Sequence, residues 1–224
     1  MPESERRDWL RLSRAAALSL GAHLIAGLAM ACILRRGLDT NADLADRLSF
    51  LSEHRTLWRA AWGTWNLAAL CVLGFFSAFS RAHRLGGAAV RVGVAAVAAD
   101  LTAEAIEMWV LPGLPPAAYT GHHRFAVLLT GGFANGLYTL ASVMLLAETR
   151  RQYPFWVVAA GAGVGLGGIW LSAAALMGSV DGMFWSNVLL VPSLLLWQSG
   201  VSREAYLRAR GGGKAEAVSG LPKA

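Results

Sequence analysis

Apolar residues in this chain fall into six blocks of about twenty, separated by short stretches rich in arginine, proline and acidic residues. About twenty apolar residues let a helix cross a hydrocarbon core of ~30 Å. The blocks run roughly over 13–34, 60–79, 88–111, 125–147, 155–178 and 183–200, and each predicts a transmembrane helix. Arg35-Arg36 closes the first block, Arg81, His83 and Arg84 the second, Pro112, Pro115 and Pro116 the third, and Glu148, Arg150 and Arg151 the fourth. Between the first two blocks, Leu44, Leu48, Leu51 and Trp58 recur at spacings of 4, 3 and 7 behind Asn41 and Asp43. That spacing predicts a short, capped helix with one apolar face, lying on the membrane surface.

The expected fold is an all-α membrane protein: a six-transmembrane-helix bundle over residues 1–202 with a short extracytoplasmic amphipathic helix. A polar, flexible tail is expected over 203–224, where Gly211, Gly212 and Gly213 stand together. The apolar run from Ala15 to Leu34 is too long for the core of a signal peptide and is followed by no small-residue cleavage site, so a retained first span is expected.

Composition strengthens this reading. The 224 residues are 55% hydrophobic and only 15% charged, with a mean hydropathy of +0.46. A soluble domain of this length could not keep so much apolar surface from water. The net charge of +6 is carried almost wholly by arginines that flank the blocks, which speaks for orientation in a bilayer and against nucleic acid as a partner. One side collects Arg6, Arg7, Arg11, Arg14, Arg81, Arg84, Arg91, Arg150, Arg151, Arg203, Arg208, Arg210, Lys214 and Lys223; the other has Arg35, Arg36, Arg47, Arg55, Arg59 and Arg124. The positive-inside rule then places both termini in the cytoplasm, in a multi-pass protein of the plasma (inner) membrane. Cys32 and Cys71 lie in different spans at different depths, a pattern of packing residues and not of a disulfide.

The third block holds the sharpest chemistry. Asp100, Glu104 and Glu107 stand at i, i+4 and i+7, on one helix face. Each charged group costs about 2.5–3.5 kcal/mol in mid-membrane on insertion scales, so such residues face the bundle interior, relay protons, bind a cation or pair with a base. Glu107 stands about 7 Å from the helix end at Pro112 and could reach headgroups by itself; Asp100 is too deep for that. With His23, these three acids are the candidate ion- or proton-binding residues, and the acidic face is expected to look toward His23 and Asn135. Asn66, Asn135, Tyr138 and Asn187 are candidate supporting polar residues, the asparagines also serving as interhelical glue worth about 0.6 kcal/mol each. His122 and His123, with Glu107, form a weak candidate metal set without any specific ligand spacing, and no cofactor is implied.

Block five carries Gly161, Gly163, Gly165, Gly167 and Gly168, and Gly132/Gly136 forms a further small-residue pair in block four. These stripes let a second helix approach closely, from the same chain or from a second copy in a homo-oligomer. No phosphate-binding loop, nucleophile elbow, dinucleotide fingerprint or haem attachment motif is present. Three function classes remain open besides the lipid bilayer as partner: a small proton- or cation-linked transporter or channel using the span-three carboxylates, a membrane-embedded and lipid-directed enzyme, and a non-catalytic membrane subunit.

Overall fold

A computed structural model describes residues 1–211, which are helical almost throughout and contain no strand. The α-helices are α1 (Glu3–Cys32), α2 (Leu44–Glu53), α3 (Arg55–Ala82), α4 (Ala88–Ala105), α5 (Pro116–Val127), α6 (Asn135–Thr149), α7 (Phe155–Met177) and α8 (Val180–Ala209). α4 continues through a π-turn, Ile106–Val110, into a 3-10 turn at Leu111–Gly113. A second π-turn, Leu128–Ala134, joins α5 and α6 into one rod.

Five helical rods are long and apolar enough to cross a membrane: α1 extended to Arg36, α3, α5–α6 extended to Gln152, α7 and α8. The third of the six expected spans, α4, is not among them, because Arg91, Asp100 and Glu104 interrupt its apolar run. The helices nonetheless form a closed ring. α1 packs on α3, α3 on α4, α4 on α6, α6 on α7, α7 on α8, and α8 returns to α1. Each rod of this ring runs antiparallel to the one before it, α5 and α6 counting as one. Large apolar side chains cover the outside, with Leu18 67% and Leu166 65% exposed. Such a surface suits lipid, not water.

Two clusters fill the interior. At the end carrying the start of α1 and the end of α8, Trp9, Phe75, Phe79, Leu145 and Trp197 pack together. There His83, just past α3, meets the Gln152 Oε1 at 3.0 Å through Nδ1 and the Tyr153 hydroxyl at 2.8 Å through Nε2. The Arg208 guanidinium lies 4.7 Å over the Trp9 ring and 5.2 Å over that of Tyr153. At the opposite end, Leu34, Phe50, Leu51, Trp58, Trp62, Leu111 and Tyr119 form the second cluster, beneath α2. Asp43 caps α2 by accepting from the backbone N–H groups of Ala45 and Asp46 at 2.8 and 3.2 Å. α2 stops at Glu53, so Trp58, expected on its apolar face, instead opens α3 and packs under α2 from there.

One other boundary differs from the sequence pattern. α8 runs to Ala209, so residues 203–209 are helix and not the start of a tail. Val201, Ala205 and Ala209 recur every fourth residue and form a buried face there, which holds the helix to the bundle. The remainder of the expected polar tail, from residue 212, lies outside the described residues. The α7 glycines are occupied by the chain's own helices. A Cβ at Gly161 or Gly165 would meet Leu146 at 2.9 Å or Val143 at 3.1 Å, and one at Gly168 would strike Thr139, all on α6. A Cβ at Gly167 would come within 2.9 Å of the Leu190 backbone, and Gly163 abuts Ser193, both on α8.

Candidate functional site

The site begins with a proline. Pro112 has no N–H, so it cannot bond the carbonyl of Met108 four residues back. The N–H of Leu111 bonds the Ile106 carbonyl, five residues back, in the π-turn and leaves the Glu107 carbonyl free as well. Buried carbonyls need partners, and α3 supplies both. The Trp58 indole N–H donates to the Glu107 carbonyl at 2.7 Å, and the Arg59 Nε–H donates to that of Met108 at 3.1 Å. This anchoring fixes the helix segment that carries Glu107.

The Glu107 side chain is buried and meets His123, on α5, with 3.0 Å between Oε1 and Nδ1. The other ring nitrogen of His123 lies 3.1 Å from Asp39 Oδ2, an ion-pair distance outside the alignment of a hydrogen bond. Asp39 in turn pairs with Arg47 of α2. The Tyr119 ring stacks on His123 at 5.5 Å and 15°, and its hydroxyl donates to the Gly37 carbonyl at 3.2 Å. The Asp39 carboxyl, in the α1–α2 loop, is held down to about 2, chiefly by His123 and then by Arg47, against the opposing effect of its partial burial. The result is a line of side chains from a partly exposed carboxylate, Asp39, through His123 to a carboxyl inside the bundle, Glu107.

One turn deeper on α4 stands Glu104, 2% exposed, whose Oε2 has no partner among the described residues. Glu107 Oε2 is likewise without a partner there. A further turn in, Asp100 accepts from the Thr130 hydroxyl at 2.5 Å and from the Tyr138 hydroxyl at 3.2 Å. Thr130 belongs to the second π-turn and Tyr138 to α6, so the rod that faces α4 clasps Asp100 at two levels.

The remaining candidates lie elsewhere. The ring Nδ1–H of His23 donates to the Ser19 carbonyl of its own helix at 2.7 Å, while Ser19 Oγ accepts from Gln198 at 2.8 Å and so joins α1 to α8; His23 makes no hydrogen bond to the acids. Asn135 donates to the Gly168 carbonyl and to Ser172 Oγ, at 2.8 and 3.0 Å, and so turns to α7. Asn66 meets the Met108 sulfur at 3.4 Å, and Asn187 is exposed and donates to the Met183 carbonyl of its own helix. His122 is exposed and donates to the Ala118 carbonyl. The metal set of His122, His123 and Glu107 therefore does not converge, and no three His, Cys, Asp or Glu side chains form a metal-holding group among the described residues.

Three members of the site are not singled out by the sequence pattern. Thr130 stands eight residues before Tyr138, near the same helix face, which is a usable signal. Asp39 and Arg47 have none, since a loop residue and a surface-helix residue share no periodicity. The chain matches no protein-family model, no curated protein and no solved structure.

Proposed function

We propose that this protein is a six-span inner-membrane protein with both termini cytoplasmic and α2 on the outer face, acting as a small proton-linked transporter. In this reading α4 is the sixth crossing, and its acids are tolerated because they face α3, α5 and α6 instead of acyl chains. The observation that carries the reading is His123 set between Asp39 and Glu107. Imidazole can take a proton on the nitrogen facing Asp39 and release one from the nitrogen facing Glu107, so charge moves inward with no displacement of the ring. Glu107, Glu104 and Asp100 then continue the path at one helical turn each, and Thr130 and Tyr138 hold the last acid in place. The unpartnered oxygens of Glu107 and Glu104 are the atoms expected of proton carriers that must receive as well as give.

A membrane-embedded acid–base enzyme is the weaker alternative. It would need one imidazole nitrogen directed at substrate, and both nitrogens of His123 face carboxylates. The test is proton flux into liposomes loaded with a pH-sensitive dye, under an imposed gradient. Wild-type protein should dissipate the gradient, and Glu104→Gln and Asp100→Asn, which keep shape but cannot release a proton, should cut the rate at least about tenfold while staying folded. A wild-type protein that moves no protons, or amide variants as fast as wild type, would reject the proposal.

A further inference from the structure

A second polar feature lies at the opposite end, where α3 turns into α4. A groove of about 500 Å³ opens there, lined by Ser77, Ser80, Arg81, Arg84, Gly87 and Arg91, among others. Its charge is one-sided. Arg81 and Arg91 have no ion-pair partner among the described residues, and Arg84 has only Glu5 of α1, at 3.8 Å and well exposed.

The start of α4 adds to this. No side chain caps it, and no acidic residue stands in its first turn. Its leading N–H groups therefore have no side-chain acceptor, and Arg91 places a positive charge where the helix dipole favours a negative one. Both features become favourable if an anion occupies the groove.

Ser80 is the independent sign of a ligand. It is 6% exposed, lines the groove, and its hydroxyl has no partner among the described residues. Several helix hydroxyls in this protein satisfy themselves on a carbonyl of the preceding turn, as Ser77 does on Leu73 at 2.9 Å and Thr102 on Ala98 at 2.7 Å, and others find a side chain or a neighbouring helix. A buried hydroxyl left open in a groove lined by three arginines is a donor waiting for an acceptor. Arg84, also among the lining residues, has φ 56°, a left-handed backbone uncommon for a non-glycine residue.

We propose that this groove binds a phosphate group, with Arg81 and Arg91 as charged forks, the α4 N–H groups as backbone donors and Ser80 as the buried hydroxyl donor. The phosphate can come from the headgroup of an anionic phospholipid in the adjoining leaflet or from a soluble phosphate. Guanidinium forks match either one.

The test uses the full-length protein in detergent, with native mass spectrometry reading bound lipid and thermal unfolding reading stabilisation. The probes are phosphatidic acid, phosphatidylcholine and inorganic phosphate. Phosphatidic acid should bind in preference to phosphatidylcholine, or inorganic phosphate should raise the Tm. The first result alone assigns the lipid source, the second the soluble one, and either supports the site. Arg81→Gln/Arg91→Gln should weaken the effect at least about tenfold, each charge-assisted hydrogen bond being worth that order. Ser80→Ala should weaken it several-fold, while Arg150→Gln/Arg151→Gln, the same charge change on exposed residues outside the groove, should leave it intact. Equal loss in that control pair, no effect of Ser80→Ala, or no response to either phosphate probe would overturn the proposal.

Discussion

Burial pushes the His83 imidazole down to about 4 from an ordinary 6.5, with the nearby Arg208 charge adding to the effect and the Gln152 hydrogen bond opposing it. In its neutral form the ring donates from Nδ1 to Gln152 and accepts at Nε2 from the Tyr153 hydroxyl, so protonation would turn an acceptor into a second donor facing a hydroxyl. The folded protein holds its proton less tightly than the unfolded chain does. Its contribution to stability is therefore present above pH 6.5 and is lost as the pH falls from there through 4. Thermal unfolding in detergent should show a Tm falling over that window, and His83→Gln should flatten the slope. An unchanged slope would assign the loss to other groups. Asp39, held down to about 2, adds stability that is fully present above about 3.8 and is lost only below this window, as the pH falls from there through about 2. The three acids of α4 are legible in the sequence because spacing alone puts them on one face. Tyr138 is legible as a hydroxyl inside a span, but its pairing with Asp100 is not. Asp39 and Arg47 become visible only in three dimensions, since the fold and not the spacing brings a loop over the end of α5.

At the scale of elements, helix packing decides what the glycines do. α7 presents Gly163 and Gly167 to α8 and Gly161, Gly165 and Gly168 to α6, so the one helix is held from two sides. Gly167→Ala should destabilise by about 1–3 kcal/mol, because the new methyl would meet the Leu190 backbone, which cannot rotate away as a side chain can. Gly21→Ala in α1 meets nothing within 4 Å, so it should be neutral or stabilising by up to about 1 kcal/mol. Tm values of the two variants in the same detergent check the contrast, and a Gly167→Ala protein as stable as wild type would mean that α7 and α8 adjust freely. The small-residue stripes are readable from sequence, but which neighbour fills each one is not. The helices are also readable, though the apolar blocks understate their length, since polar ends such as residues 3–12 and 203–209 remain helical on the support of packing. The π-turns are not readable, because the proline that frees two carbonyls does not say which side chains answer them.

At the scale of the molecule, the ring places the first helix against the last, and every consecutive pair of rods is antiparallel. If α4 crosses with the others, the number of crossings is even and both termini share a side. Reporter fusions at Ala224 and in the loops near Asn41 and Leu114, the latter just before the helix that carries His122, check this. A reporter active only in the cytoplasm should work at Ala224 and fail at both loops, and the reverse pattern at Ala224 would remove α4 from the set of crossings. The arginine asymmetry that carries this expectation is fully present in the sequence, whereas the order of helices around the ring is not, because apolar faces do not name their neighbours.

The two π-turns also bear on how this chain can change in length. A π-turn holds one residue more than the α-helical turn it replaces. In an unbroken α-helix, losing a single codon rotates everything beyond it by about 100°, turning a lipid-facing row into the bundle. Within Leu128–Ala134, or within Ile106–Val110, the same loss would tighten the wide turn to an ordinary one and leave the faces before and after it in phase. What would go is the local aim of Thr130 at Asp100, or of Glu107 at His123. Those two short stretches are thus where descendants of this gene could lose a residue and keep the fold while giving up the acid track.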